Sequence, residues 1–127
     1  MKHRALGATL LYLASVVFAV FGFAFSLFPD QLFFASVGQQ LGNASALTDV
    51  RATYGGMSIG VGLVFYLLAR NPAYVRVGLA ALCVIMLCMA IARGLGMVLD
   101  GEPSSLMHTY LGLELLVALI SAFMLRK

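Results

Sequence analysis

Residues 77–99 read VGLAALCVIMLCMAIARGLGMVL, an apolar run broken by a single charge, Arg93. A helix needs about 20 such residues to cross the hydrocarbon of a bilayer. The run is far longer than a strand, and in lipid a segment must satisfy its backbone internally, so a helix is expected. Arg93 precedes Asp100 by seven residues, which places it about 10 Å below the helix end at 1.5 Å rise per residue. A charge at that depth costs about 2.5–3.5 kcal/mol even on the lenient insertion scale. Something else in the chain must compensate for it.

Three further runs of the same kind flank this one. The first is about Ala5–Phe28, closed by Pro29-Asp30, and the second about Ala52–Ala69, ended by Arg70-Asn71-Pro72. The third is Val77–Leu99 itself, and the fourth is about Leu106–Leu125, ended by Arg126-Lys127. The whole chain is 62% hydrophobic and 10% charged, against about 45–50% and about 25% in soluble domains. The 127 residues leave room for one domain, residues 1–127, and no second. The expected fold is all-α: an integral membrane four-helix bundle. The first run is too long for a signal-peptide core and is expected to be retained.

The charges set an orientation. Lys2, Arg4, Arg70, Arg76, Arg126 and Lys127 fall at one set of span ends, and Asp30, Asp49, Arg51, Asp100 and Glu102 at the other. By the positive-inside rule both termini face the cytoplasm, in a multi-pass protein of the cell inner membrane. The positives are dispersed at segment ends rather than gathered in a patch, so the net charge of +3 does not mark a nucleic-acid partner. The connection from Gln31 to Val50 carries Leu32, Phe33, Phe34, Val37 and Leu41 at roughly helical spacing. A short helix at the outer interface is expected there, then a turn near Gly42-Asn43, with the second span's helix beginning around Ser45 to Asp49.

Glu114 is the second intramembrane charge. It follows Leu106 by eight residues, about 12 Å below the same boundary as Arg93. The third and fourth spans are joined by a short loop and run antiparallel, so the two charges meet as a pair. Helical phase adds Met97 and Asp100 to the Arg93 face, and Met107, Tyr110 and Ser121 to the Glu114 face. On the second span Arg51, Tyr54, Gly55, Ser58 and Gly62 form a comparable stripe. One polar centre in the outer half, made of Arg51, Tyr54, Arg93, Asp100, Tyr110 and Glu114, is the economical expectation. Each member also has a plain reading. A buried ion pair can be a clamp on helix register, Arg51 can snorkel to the interface, and the tyrosines can be interfacial aromatics.

The remaining motifs point to packing. Gly56 and Gly60, and Ser58 and Gly62, are small-xxx-small pairs that let backbones approach in lipid, within the bundle or against a second copy or a larger membrane complex. No strand precedes them and no P-loop lysine follows, so they are not a phosphate cradle. Cys83 and Cys88 match no metal or redox spacing. His108 has no second histidine at ligand spacing on its own side, so no metal is expected. The methionines read as adaptable core filler.

Arg51-Ala52-Thr53-Tyr54-Gly55-Gly56 with Gly60-Val61-Gly62, then Ala92-Arg93, Asp100-Gly101-Glu102-Pro103 and Leu113-Glu114, resemble an uncharacterised bacterial family. Its members are small four-span membrane proteins carrying a domain of unknown function, distantly similar to DoxX-like proteins. The resemblance runs from about Phe28 onward and implies fold and membrane location. It places recurrent polar positions at Arg51, Arg93, Asp100 and Glu114, and DoxX-like relatives imply a link to quinone-linked redox complexes. The leading expectation is a non-enzymatic accessory or scaffold bundle in contact with membrane lipid, requiring no cofactor and holding a lipid-like or quinone-like ligand in its outer-leaflet half. Two others stay open: a small proton-coupled transporter using Glu114, and a subunit of a quinone-linked redox enzyme.

Overall fold

The computed structural model describes residues 2–101 and 104–126. Glu102, Pro103 and Lys127, and the side chains of Lys2 and His3, lie outside the described residues. Every described element is helical: α1 (Lys2–Leu27), α2 (Pro29–Val37), α3 (Ala44–Arg70), α4 (Val75–Leu99) and α5 (Ser105–Leu125). Helices α1, α3, α4 and α5 are long and apolar enough to cross a membrane. The four expected spans are therefore present, with one changed boundary. Helix α3 begins at Ala44, ahead of the apolar run at Ala52 and one residue before the start expected around Ser45 to Asp49, because Asn43 is extended and its side chain accepts the Ala46 N–H at 2.9 Å, an N-cap that satisfies one free donor of the first turn.

The join between α1 and α2 is a single non-helical residue, Phe28. Pro29 stops α1 and at once opens α2, since the first helical position needs no N–H donor. Gly38 closes α2 at φ 78°, a left-handed conformation suited to glycine, and its N–H donates to the Phe34 carbonyl at 2.8 Å. The Asp30 carboxylate accepts the Leu41 N–H at 2.8 Å. That bond folds the linker back over α2 and delivers the chain to Asn43.

The spans associate in two pairs, α1 with α3 and α4 with α5, joined chiefly through α1 and α3 against α4. The core gathers Leu11 from α1, Phe65 and Ala69 from α3, Val75, Leu79, Leu82 and Met86 from α4, and Ala118 from α5. All of these lie in the half of the bundle that holds the chain termini. Gly7 and Gly78 tighten that end, where an added Cβ would meet Val75 at 2.9 Å and Leu11 at 2.5 Å respectively. Arg4, Arg70, Arg76 and Arg126 are all exposed there. In lipid the gain from this core is close packing and not removal from water, because the surrounding tails are as apolar as leucine.

The α1–α3 seam runs along the Arg51–Arg70 part of α3, and small residues set its closest approaches. A Cβ on Gly62 would lie 2.9 Å from the Ser15 carbonyl oxygen, and one on Gly22 would lie 2.7 Å from both the Gly55 oxygen and the Ile59 nitrogen. Ser58 and Gly62 are buried in this seam, as their spacing predicts. Gly56 and Gly60 are not: both are exposed, and a Cβ on Gly60 meets nothing within 4 Å. The reason is helical phase: Gly56 and Gly60 each stand two residues from Ser58, about 200° around the helix, and so face away from α1. Just before them lies a π turn over Arg51–Gly56, where the Met57 N–H donates to the Ala52 carbonyl five residues back. The wider turn absorbs one extra residue, so Val50 and Gly55, five apart, are both buried on one face.

Candidate functional site

The intramembrane charges meet as the sequence predicts. Arg93 Nη2 donates to Glu114 Oε1 at 2.6 Å, and Nε lies 3.1 Å from both carboxylate oxygens. This is a side-on fork, the strongest geometry open to an arginine and a carboxylate. By helical rise Arg93 stands about 9 Å and Glu114 about 13 Å from the distal helix ends, so neither is an end residue. Glu114 is buried, whereas the Arg93 side chain keeps 23% of its surface exposed.

Two neighbours from α5 complete the surroundings of the guanidinium. Arg93 Nη1 donates to Met107 Sδ at 3.3 Å, and the Tyr110 ring lies under the guanidinium with 5.3 Å from its carbon to the ring centroid. Met107, Tyr110 and Glu114 follow at intervals of three and four, one face of α5. A thioether is a weak acceptor. Arg93 has five N–H groups, and Glu114 and Met107 are the acceptors that the described residues give it. Nη1 is therefore the weakly met end of the guanidinium.

Arg51 and Tyr54 stand elsewhere. The Arg51 guanidinium donates to the Ser26 carbonyl in the last turn of α1, a cation on the negative end of that helix. Tyr54 stacks on Phe25, with centroids 5.3 Å apart, and meets Phe33 of α2 edge-on at 6.4 Å. The π turn that carries both residues thus ties α1, α2 and α3 together at the distal end. Asp100 is exposed at the end of α4 with its carboxylate over Gly96, and among the described residues it forms no ion pair. The six expected residues therefore divide into an Arg93–Glu114–Tyr110 centre, an Arg51–Tyr54 clasp on α1, and a peripheral Asp100. Phase alone missed the roles of Phe25, Phe33 and the Ser26 carbonyl, because it ranks side chains by polarity and these are apolar rings and a backbone oxygen.

The clasp yields a direct test. Arg51→Ala is expected to lower the melting temperature in detergent by about 3 °C, with Arg51→Lys intermediate, since a lysine keeps the charge at the helix end. An unchanged melting temperature for Arg51→Ala would mean that the α1 terminus does not depend on this contact.

Three other features are less promising. An open groove of about 430 Å³ runs along Ala44, Ser45, Thr48, Asp49 and Ala52, all on α3, with one carboxylate and no converging polar group. Cys83 is buried, its thiol 3.5 Å from the Ala118 carbonyl oxygen, and Cys88 is exposed. His108 faces its own helix, 3.3 Å from the Ser104 carbonyl oxygen. Among the described residues no three His, Cys, Asp or Glu side chains converge in a metal-holding group.

Fold and site together define a four-span helical membrane bundle with one ion pair set inside its distal half. The chain belongs to the family described as a domain of unknown function, DUF4345, whose model matches residues 8–125. No curated protein and no solved structure matches it.

Proposed function

We propose that this protein is a non-enzymatic accessory bundle of the bacterial inner membrane, with both termini cytoplasmic, that holds a lipid-like molecule against Arg93 in its outer half. The observation that carries the reading is the state of Arg93. It is fixed by Glu114, yet its side chain stays 23% exposed inside a span, with donors beyond those the carboxylate takes. Hydrocarbon offers no acceptor to such a group, and an unmet donor there costs several kcal/mol. The head of an amphiphile lying between the helix pairs supplies one.

The proton-carrier reading has less support, because Arg93 already engages both oxygens of Glu114. The outward face of α3 at Gly56 and Gly60 remains the surface by which a larger assembly would be reached, since among the described residues an added Cβ on Gly60 meets nothing within 4 Å.

The test is what accompanies the protein out of its native membrane. Native mass spectrometry after mild detergent extraction is expected to show a retained amphiphile on the wild type. Arg93→Gln should retain about tenfold less. A lone monomer carrying neither ligand nor partner would overturn the proposal.

A further inference from the structure

We infer that the head group received at Arg93 is an uncharged carbonyl acceptor, and not a phosphate or carboxylate; the inference rests on the ligand-binding reading above. Three observations carry it. First, the centre is electrically complete before a ligand arrives, since Glu114 takes Nε and Nη2 in a buried fork. An anion brought to the same guanidinium would leave a net negative charge in low dielectric, which is strongly unfavourable.

Second, the wider distal half offers no spare cation. Asp30, Asp49, Asp100 and Glu114 stand there against Arg51 and Arg93 among the described residues, and Arg51 is engaged with the Ser26 carbonyl. Sites for phosphate present unpaired arginines or lysines, or clusters of them. This region has the opposite balance.

Third, the group that an incoming acceptor would replace is weak. Nη1 rests on Met107 Sδ at 3.3 Å, and a carbonyl oxygen is a better partner for an N–H than a thioether. A ligand carbonyl can therefore take Nη1 while the Glu114 fork stays intact. The Tyr110 ring at 5.3 Å lines the same guanidinium and provides an apolar wall beside the polar contact. Esters and ketones of uncharged amphiphiles meet these conditions alike.

The test compares two lipids that share their acyl chains and ester carbonyls. Delipidated protein in detergent is offered dioleoylglycerol or dioleoylphosphatidic acid, and retention is read by native mass spectrometry. The wild type should retain the uncharged lipid at least about tenfold better, and Glu114→Gln, which frees the charge of Arg93, should shift the preference about tenfold toward the phosphate. Met107→Gln, which gives Nη1 an internal amide acceptor without altering charge, should reduce retention of dioleoylglycerol about tenfold. It keeps the test decisive if Glu114→Gln fails to fold. Equal or better retention of phosphatidic acid by the wild type would overturn the inference and leave ligand binding standing, as would undiminished dioleoylglycerol retention by Met107→Gln. Retention of neither lipid, nor of an uncharged ketone amphiphile offered in their place, would overturn both. An uncharged ketone amphiphile retained in place of the glycerolipid would uphold the inference and identify the other source of the carbonyl.

Discussion

Replacing Arg93 with leucine is expected to destabilise the bundle by about 3–5 kcal/mol, the range for breaking a buried ion pair from one side. Glu114 is buried, and Arg93 is its ion-pair partner. Its side chain is too short to reach the distal surface from about 13 Å down. Glu114→Leu should cost less, about 2–3 kcal/mol, because the longer arginine can extend toward that surface once released. The double replacement should be milder than either sum, with a coupling of about 2–3 kcal/mol, since two leucines on facing helices leave nothing uncompensated. Unfolding in mixed detergent–dodecyl sulfate micelles measures all three. Additive losses would show that the two side chains do not depend on each other.

The second large effect belongs to the α1–α3 seam. Gly22→Leu should destabilise by about 3 kcal/mol or more, beyond the usual overpacking of 1–3 kcal/mol. Its Cβ meets backbone atoms of α3, the Gly55 oxygen and Ile59 nitrogen, at 2.7 Å, so no side-chain rotation relieves the clash. Even Gly22→Ala forces the helices apart. Gly60→Ala is the matched control: its Cβ enters open space, and alanine gains up to about 1 kcal/mol over glycine inside a helix. Expression level and micellar unfolding of both variants decide the matter. A harmful Gly60→Ala beside a tolerated Gly22→Ala would place the contact face of α3 on its other side.

These two predictions also mark how far the sequence could be read. The spans follow from hydropathy, and the Arg93–Glu114 pair from 1.5 Å of rise counted from each end of a short loop. Both quantities survive small errors of boundary. The place of Arg51 on the Gly55–Ser58–Gly62 stripe does not, because one residue is about 100° of helix and the π turn over Arg51–Gly56 shifts phase by an amount that hydropathy does not encode. The same limit explains the divided site. Arg51 and Tyr54 carry the polarity that grouped them with Arg93, but what holds them is the Ser26 carbonyl and the Phe25 ring on α1. Gly55, Ser58 and Gly62 were legible because they keep ordinary spacings of three and four from the end of the π turn onward.

The contiguous cluster of buried apolar side chains lies in the termini half, while the distal half keeps only separate ones such as Phe25 and Val50, and this has a mechanical consequence. Regions with few buried apolar contacts open at lower free energy than the packed remainder of a protein. The bundle is therefore expected to open like a pair of tweezers, with its base where Leu11, Phe65 and Leu82 interlock and its arms formed by α1–α3 and α4–α5. Each arm is braced within itself, one by glycine contacts and the other by the ion pair. Spreading the tips disturbs neither brace. A guest entering sideways from the membrane would push apart only the part of the molecule that is least expensive to move.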